Sequence, residues 1–474
     1  MNRSFYSFAV FFAGLYTLIA FFQSVISLQL GMQMYTLQSF AAWYACVNFI
    51  SLIWSLIQLK YYHYKKYEVT FWAVIISSVA VLIQFIIVFN LLMGARELAN
   101  YYIPAILLVL GAGILSALSL IFSNAGKRPW LKAAGVFTFF LGLIVASAFI
   151  WGMNSPDFQK NSTVEKIHQW TSLVGSFAPV LFIMNFLSEL NIFNKENADS
   201  PRPTRRSLES VMPAICLIAL VTMLIFGSNV ANESLSLIAW NKGAPERAQR
   251  LAQPFEARKY VNSQGETMPY RLLKPPDYDS TKKYPLVVCL HHGGTHGTDN
   301  LMQIEGSEPA QVLYQNRIKY PAFLFVPQCP KGSSWGGIPD IPSIDSLVFE
   351  TIKSLEVEFE IDEKRRYAIG ISGGGYGSWY FISTRPEMFA AAIPICGGGD
   401  PKLAQNMADV PVWAFHGEKD RNVPVSGSRD MIEAIKKAGG NPRYTEFPDA
   451  GHNIWGQVYN TPGLLDWLFG QKRK

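Results

Sequence analysis

The sequence predicts a two-part protein: an N-terminal all-α polytopic membrane domain of about seven spans, then a C-terminal α/β domain whose mostly parallel sheet carries helices on both faces. Three observations predict it. Half of the 474 residues are hydrophobic and only 16% are charged, a balance skewed toward membrane proteins. The skew is confined to residues 1–241, where long apolar runs alternate with short polar stretches. From about residue 242 the charge is mixed and short apolar runs alternate with helix-like segments, the pattern of a buried parallel sheet.

Seven windows, near residues 6–27, 40–59, 69–93, 101–122, 131–153, 171–190 and 211–230, are long and apolar enough to span a bilayer, since about 20 residues at about 1.5 Å each cross the hydrocarbon core. Arg3 followed by an apolar run is also how a signal peptide opens, but no small-residue cleavage site follows and six further windows do, so the first is read as a span. Lys and Arg collect in cytoplasmic loops. With the N-terminus inside, the inner segments hold Arg3, Lys60, Lys65, Lys66, Lys127, Arg128, Lys132, Lys195, Arg202, Arg205 and Arg206, eleven in all, against Arg96, Lys160 and Lys166 outside. An odd number of spans then predicts an integral membrane protein with a cytoplasmic N-terminus and an extracytoplasmic C-terminal domain.

Residues 242–474 carry 27 Lys and Arg against 26 Asp and Glu, so +5 of the net +6 lies in the membrane half. The expected partner of that charge is the anionic lipid bilayer, and no nucleic-acid partner is implied. No ionisable residue falls deep inside a window, Lys132 and Glu189 lying at window ends within reach of the interface. Ion-coupled transport needs such groups, so it is disfavoured. Gln23, Asn48, Gln84, Asn90 and Asn185 are read as interhelical hydrogen-bonding or interface residues in preference to a polar path.

Cys46 and Cys216 fall in predicted spans, and Cys289, Cys329 and Cys396 in the outer domain, where the compartment permits a disulfide. Cys289 lies in a predicted core strand, so any bridge is expected between Cys329 and Cys396. None has metal-ligand spacing, and neither a metal nor an organic cofactor is implied. Asn161-Ser-Thr and Asn232-Glu-Ser have the form of glycosylation acceptors on the outer side.

Domain boundaries follow: membrane domain 1–230, a polar linker 231–255 ending in AWNKGAPERAQR, and the α/β domain 256–474. ARKYVNSQGETMPYRLLKP predicts an opening hairpin; PLVVCLHH, AFLFVPQ, RRYAIGIS, AAAIPIC, PVWAFHG and RYTEFP are buried-strand runs. SIDSLVFETIKSLEVEF, SRDMIEAIKKAG and TPGLLDWLFGQ read as helices.

Chemistry concentrates at YAIGISGGGYGSW, where Gly370-Ile371-Ser372-Gly373-Gly374 fits G-x-S-x-G between a strand and a helix. Such a turn strains the serine backbone and lifts Oγ above the sheet, and a side chain two residues to either side would strike the neighbouring strand or helix. A serine hydroxyl is a weak nucleophile that needs a histidine base, itself held by a carboxylate. Downstream, PVWAFHGEKDRNVPV offers Asp420 or Glu418 in the turn after a strand, Asp420 also being placed to cap the next helix. Of the seven histidines, His452 in RYTEFPDAGHNIW stands in a loop after the last strand, where the base belongs. The oxyanion would be held by the N–H of Gly373 and one N–H of the loop LHHGGTHGTDN, first Gly293 and then Gly294.

Beyond single motifs, YPLVVCLHHGGTHGTDN, VPQCPKGSSW, YAIGISGGGYGSW, FAAAIPICGGGDP, PVWAFHGEKDRNVPV, RYTEFPDAGHNIW and LLDWLF, in order over nearly all of 257–470, resemble an α/β-hydrolase of the carboxylesterase type. The likeness is to polyhydroxybutyrate-depolymerase-like and feruloyl-esterase-like enzymes, and more distantly to prolyl oligopeptidase catalytic domains. It implies Ser372 as nucleophile, Asp420 as acid and His452 as base. Family members usually read L-H-G-x-G at the oxyanion loop, whereas His292 stands here at the first glycine.

The expected activity is a membrane-tethered serine hydrolase cleaving an acyl, aryl or lipid ester outside the cytoplasm through an acyl-enzyme. The alternatives are a prolyl-oligopeptidase-like peptidase, disfavoured because no propeller-sized domain precedes the hydrolase, and a non-catalytic ligand-sensing fold, which a complete triad argues against. Trp335 and Trp455 flank the expected mouth and are read either as substrate contacts or as packing residues.

Overall fold

The structure is a computed structural model describing residues 1–153, 162–196 and 207–473. Its contacts divide the chain into two compact units, Met1–Ala239 and Trp240–Lys474.

In the first unit, α1 (Arg3–Leu30), α2 (Phe40–Lys65), α3 (Glu68–Leu92), α4 (Tyr102–Phe122), α5 (Pro129–Met153), α6 (Ser162–Gly175), α7 (Ala178–Glu196) and the part of α8 (Ser207–Ala252) up to Ala239 follow one another. Among the described residues there are seven helical stretches long and apolar enough to cross a membrane, one for each predicted window. Large apolar side chains stay exposed along them, such as Val79, Phe140 and Ile218; faces of this kind suit acyl chains. Phe12, Phe40, Trp43, Tyr61 and Phe186 fill the interior.

Three expectations change here. The sixth stretch is longer than its window, Thr163–Glu196, and breaks between α6 and α7. Glu189 lies at a span end, but it is buried there and paired: its carboxylate meets Lys65 Nζ at 2.6 Å, Arg128 at 3.0 Å and the Tyr61 hydroxyl at 3.2 Å. A buried charge survives only when paired, and these groups come together from separate loops and helices that a linear reading keeps apart. Residues 231–255, read as a linker, continue α8 as helix to Ala252. Their Ala, Leu, Arg and Gln content favours helix, which outweighs the Gly243 and Pro245 break signals. Asn232 therefore lies in a helix with Ser234 buried, not in the exposed loop that glycosylation uses; Asn161, Lys160, Arg202, Arg205 and Arg206 lie outside the described residues.

The second unit is an eight-stranded sheet in the order β1-β2-β4-β3-β5-β6-β7-β8. β1 (Glu256–Val261) and β2 (Thr267–Leu273) form the opening hairpin, and β2 runs antiparallel to β4 (Phe323–Pro327). β3 (Tyr284–Leu290), β5 (Ile361–Ile371), β6 (Ala391–Ile395), β7 (Trp413–Gly417) and β8 (Arg443–Phe447) are parallel to their neighbours. All six predicted strand runs are strands.

Strand period explains how one sheet makes two cores. Leu286, Val288 and Leu290 of β3 enter one core, with residues of α11 (Asp345–Glu358), α12 (Gly373–Thr384) and α13 (Ser426–Lys437). The intervening Val287 and Cys289 enter the other, with α9 (Met302–Glu305), α10 (Glu308–Gln315), α14 (Trp455–Tyr459) and α15 (Leu464–Phe469). Both faces are thus covered.

The strand order also undoes the predicted disulfide, all five cysteines being free. Cys329 follows β4 and Cys396 follows β6, three strand spacings apart in the sheet. At about 4.8 Å per spacing that is roughly twice the reach of a disulfide, whose Cα atoms lie within about 7 Å.

Candidate active site

The candidate residues gather at the C-terminal ends of β3, β5, β7 and β8. Ser372 follows β5 directly, at φ +55° and ψ −114°, with its N–H donating to Ile395 O of β6 at 2.8 Å. A non-glycine residue in that region is strained and is held only by its surroundings. The glycines on either side are steric requirements: a Cβ on Gly370 would collide with Gly374 O in α12, and one on Gly374 with Leu290 O in β3. Strand and helix close to a distance that only hydrogen permits, and Ser372 sits at the apex between them.

Asp420 ends the turn after β7 with its side chain fully buried. One carboxylate oxygen, Oδ1, accepts the N–H groups of Asn422 and Val423, each at 2.8 Å. The other, Oδ2, meets His452 Nδ1 at 2.7 Å and His416 Nε2 at 3.2 Å. Glu418, the alternative acid, is exposed on the same turn, and the partner of His452 is Asp420. Burial alone would raise the Asp420 carboxyl, but hydrogen bonds from His416, His452 and the Val423 N–H outweigh it and hold the group well below the usual carboxylate range.

His452 lies in the loop between β8 and α14, its carbonyl accepting the Cys396 thiol at 3.4 Å. With Nδ1–H committed to Asp420, Nε2 is left with its lone pair. Ser372 Oγ makes no hydrogen bond to it or to any other group among the described residues; hydrogen bonds of this kind often close only when substrate binds.

Gly293 and Gly373 adjoin, since a Cβ on Gly373 would lie 3.5 Å from Gly293 N. Gly294 N–H is instead occupied by His292 Nδ1 at 3.0 Å. The geometry therefore favours Gly293 over Gly294, with His292 capping the loop from the position of the missing glycine.

Two histidines that sequence reasoning passed over organise these parts. His291 is buried and accepts Cys329 N–H at Nε2 (3.0 Å), which leaves Nδ1–H for His292 O (2.8 Å) and fixes the oxyanion loop. Burial pushes His291 down to about 3, so it stays neutral. His416, fully buried, sits between Asp420, Val423 O at 3.1 Å and Ser428 Oγ at 2.8 Å. The sequence signal was adjacency, His291 beside the loop glycines and His416 four residues before Asp420, but adjacency does not say which ring faces the site.

Cys396, His416 and Asp420 offer donor atoms within 4.8 Å of one another. They fit a metal poorly. His416 Nε2 faces two acceptors, a carbonyl and a carboxylate, so it carries hydrogen and has no lone pair to give. The cluster is a hydrogen-bonded clamp on Asp420.

Trp335 is corrected to a packing residue: it is buried, and its indole N–H donates to His291 O at 3.1 Å, so no face is left for substrate. Trp455 is half-buried and stands edge-on to the His452 ring at 5.5 Å.

Residues 342–456, which include Ser372, Asp420 and His452, match the Dienelactone hydrolase family. The chain is 26% identical over 189 residues to a probable feruloyl esterase C of Aspergillus niger, covering 39% of this chain and 67% of that protein. It is 23% identical over 217 residues to a putative carboxymethylenebutenolidase of Yersinia pestis, covering 40% and 76%. Among solved structures, a thermostable esterase is 39% identical over 47% of this chain and 64% of its own, with a TM-score of 0.45. The chain thus spans about two thirds of the first of these relatives, and 61% of the Aspergillus clavatus feruloyl esterase C that it also matches. The Dienelactone hydrolase match and the feruloyl esterase relatives support an esterase-like hydrolase.

Proposed function

Taking the C-terminal unit as an α/β-hydrolase of the esterase-like type, we propose that it is a serine carboxylesterase, tethered to the bilayer by the N-terminal helices and acting outside the cytoplasm. The observation that carries this reading is the 2.7 Å contact between His452 Nδ1 and Asp420 Oδ2, on strand ends that also present Ser372 in a strained turn. His452 Nε2 takes the Ser372 proton as Oγ attacks the ester carbonyl. The oxyanion settles between the N–H groups of Gly373 and Gly293. His452 then protonates the alkoxide as the C–O bond breaks, leaving an acyl-Ser372. Water, deprotonated by the same imidazole, releases the carboxylic acid and restores the serine.

Feruloyl and related aryl esters are the substrates to try first, beside short- and long-chain acyl esters. A fluorophosphonate reagent, whose phosphorus is attacked by an activated serine with loss of fluoride, should label the full-length protein on the peptide containing Ser372. A folded, ester-cleaving protein that labels elsewhere, or not at all, rules out this nucleophile.

Topology rests on the eleven-to-three distribution of basic residues between the two sides. A reporter phosphatase that matures only outside the cytoplasm should be active when fused after Lys474 and inactive after Lys66. The reverse pattern would place the esterase in the cytoplasm.

A further inference from the structure

The helices of the first unit line a cavity of about 420 Å³, within the roughly 300–1,000 Å³ of small-ligand sites. It lies where α1 ends and α4 and α6 begin, which is one end of these helices. Its wall includes Tyr16 and Gln23 of α1, Tyr35 of the turn after it, Tyr102 of α4, and Glu165 of α6. Ser176, in the break between α6 and α7, also lines it; interrupted spans commonly build membrane binding sites in this way.

The titratable groups of α6 on the wall are the Glu165 carboxylate and the His168 imidazole. Buried Gln169 donates from Nε2 to Ser27 O at 3.0 Å and to Glu165 Oε1 at 3.1 Å, holding the carboxylate against the end of α1. A Cβ on Gly31, the residue ending that helix, would lie 2.7 Å from Glu165 Oε1. The end of a helix already concentrates negative partial charge on its free carbonyls, and the last turn of α1 has no basic residue. Among the described residues Glu165 has no ion-pair partner. The buried Gln23 Oε1, a second acceptor, has no hydrogen-bond partner either.

We propose that this cavity binds a primary ammonium group, with Glu165 as its counter-ion and Gln23 Oε1 accepting one of its N–H bonds. Glu165 is exposed on the cavity wall and has no salt bridge among the described residues, so its carboxylate can meet a cation that enters. Unused acceptors ask for N–H donors, which a quaternary ammonium lacks, and the volume is far larger than a bare metal ion fills. The tyrosine rings suit a cation further. The group can come from an aminophospholipid headgroup or from a soluble amine; the headgroup source rests on the reading of these helices as membrane spans.

Calorimetric titration of the full-length protein in maltoside micelles tests this, using short-chain phosphatidylethanolamine, phosphatidylcholine of equal chain length, and soluble glycerophosphoethanolamine. Phosphatidylethanolamine should bind at least about tenfold more tightly than phosphatidylcholine, and Glu165→Gln should weaken it by about tenfold or more, the scale of one lost charge-assisted hydrogen bond. Gln23→Leu, which keeps the charge, should bring the two lipids to similar affinity. Glycerophosphoethanolamine binding as tightly as the lipid would identify a soluble source. Equal affinity for both lipids in the wild-type protein, or wild-type affinity in a folded Glu165→Gln or Gln23→Leu variant, overturns the proposal. Release of the protein from membranes by alkaline carbonate would instead remove the membrane reading, while leaving the ammonium titration readable.

Discussion

Full-length Ser372→Ala protein in detergent is expected to lose hydrolysis of p-nitrophenyl acetate by several powers of ten in kcat, the usual cost of removing a triad nucleophile. Substrate affinity should change little, since the oxyanion amides of Gly373 and Gly293 belong to the backbone. Stability should hold as well, because alanine at φ +55° carries much the same backbone strain as serine and Ser372 Oγ makes no hydrogen bond among the described residues. The decisive comparison is kcat beside the thermal unfolding midpoint. A variant that folds and keeps more than about a tenth of wild-type kcat would exclude Ser372 as the nucleophile.

Asp420→Asn is expected to be nearly as damaging, with about 10⁴-fold lost from kcat, through a different cause. The amide can still accept the N–H groups of Asn422 and Val423 with its oxygen. Its NH₂ then faces His452 Nδ1 and His416 Nε2, so His452 is driven to the tautomer with hydrogen on Nε2, where the lone pair is needed. The same substitution carries a pH signature. Because the folded Asp420 carboxyl is held below its ordinary value, its stabilisation is fully present above about pH 4, the unfolded carboxylate pKa. It is lost as pH falls through the folded value. On acidification below about pH 4, therefore, the wild-type unfolding midpoint should fall more steeply than that of Asp420→Asn. Parallel curves would show that the hydrogen bonds to Asp420 do not favour its charged form.

What could be read in the chain was whatever local spacing encodes. The Gly370–Ser372–Gly374 triplet announced its turn because each glycine is demanded by a contact within a few residues or with the adjacent strand. Strand runs such as PLVVCL were legible because burial on both faces leaves no polar position in them. The failures share a different cause, since each depends on which distant elements become neighbours. Cys329 and Cys396 looked pairable until the strand order separated them. Trp335 could be read as a substrate contact or as a packing residue until the His291 carbonyl claimed its indole N–H. Glu189 stood at a span end, but its burial and pairing could not be read because its partners, Lys65 and Arg128, lie far off in sequence. His416 stood in plain view beside Asp420, but its role follows from a ring orientation that only packing against Ser428 and Val423 determines.

The glycines that let α12 approach β3 and β5 have a further effect on how the domain is assembled. Residues 373–377 include four glycines in a twelve-residue helix, and each costs about 1 kcal/mol of helix propensity relative to alanine. A segment this short and this glycine-rich has no reason to be helical by itself, nucleation being unfavourable even for good helix formers. Contacts from strands brought together across more than a hundred residues of chain, from β3 to β6, impose the helix instead. The nucleophile's scaffold is thus a product of long-range pairing: it cannot precede the central sheet during folding, and the reactive serine stays undefined until the rest of the hydrolase core has formed.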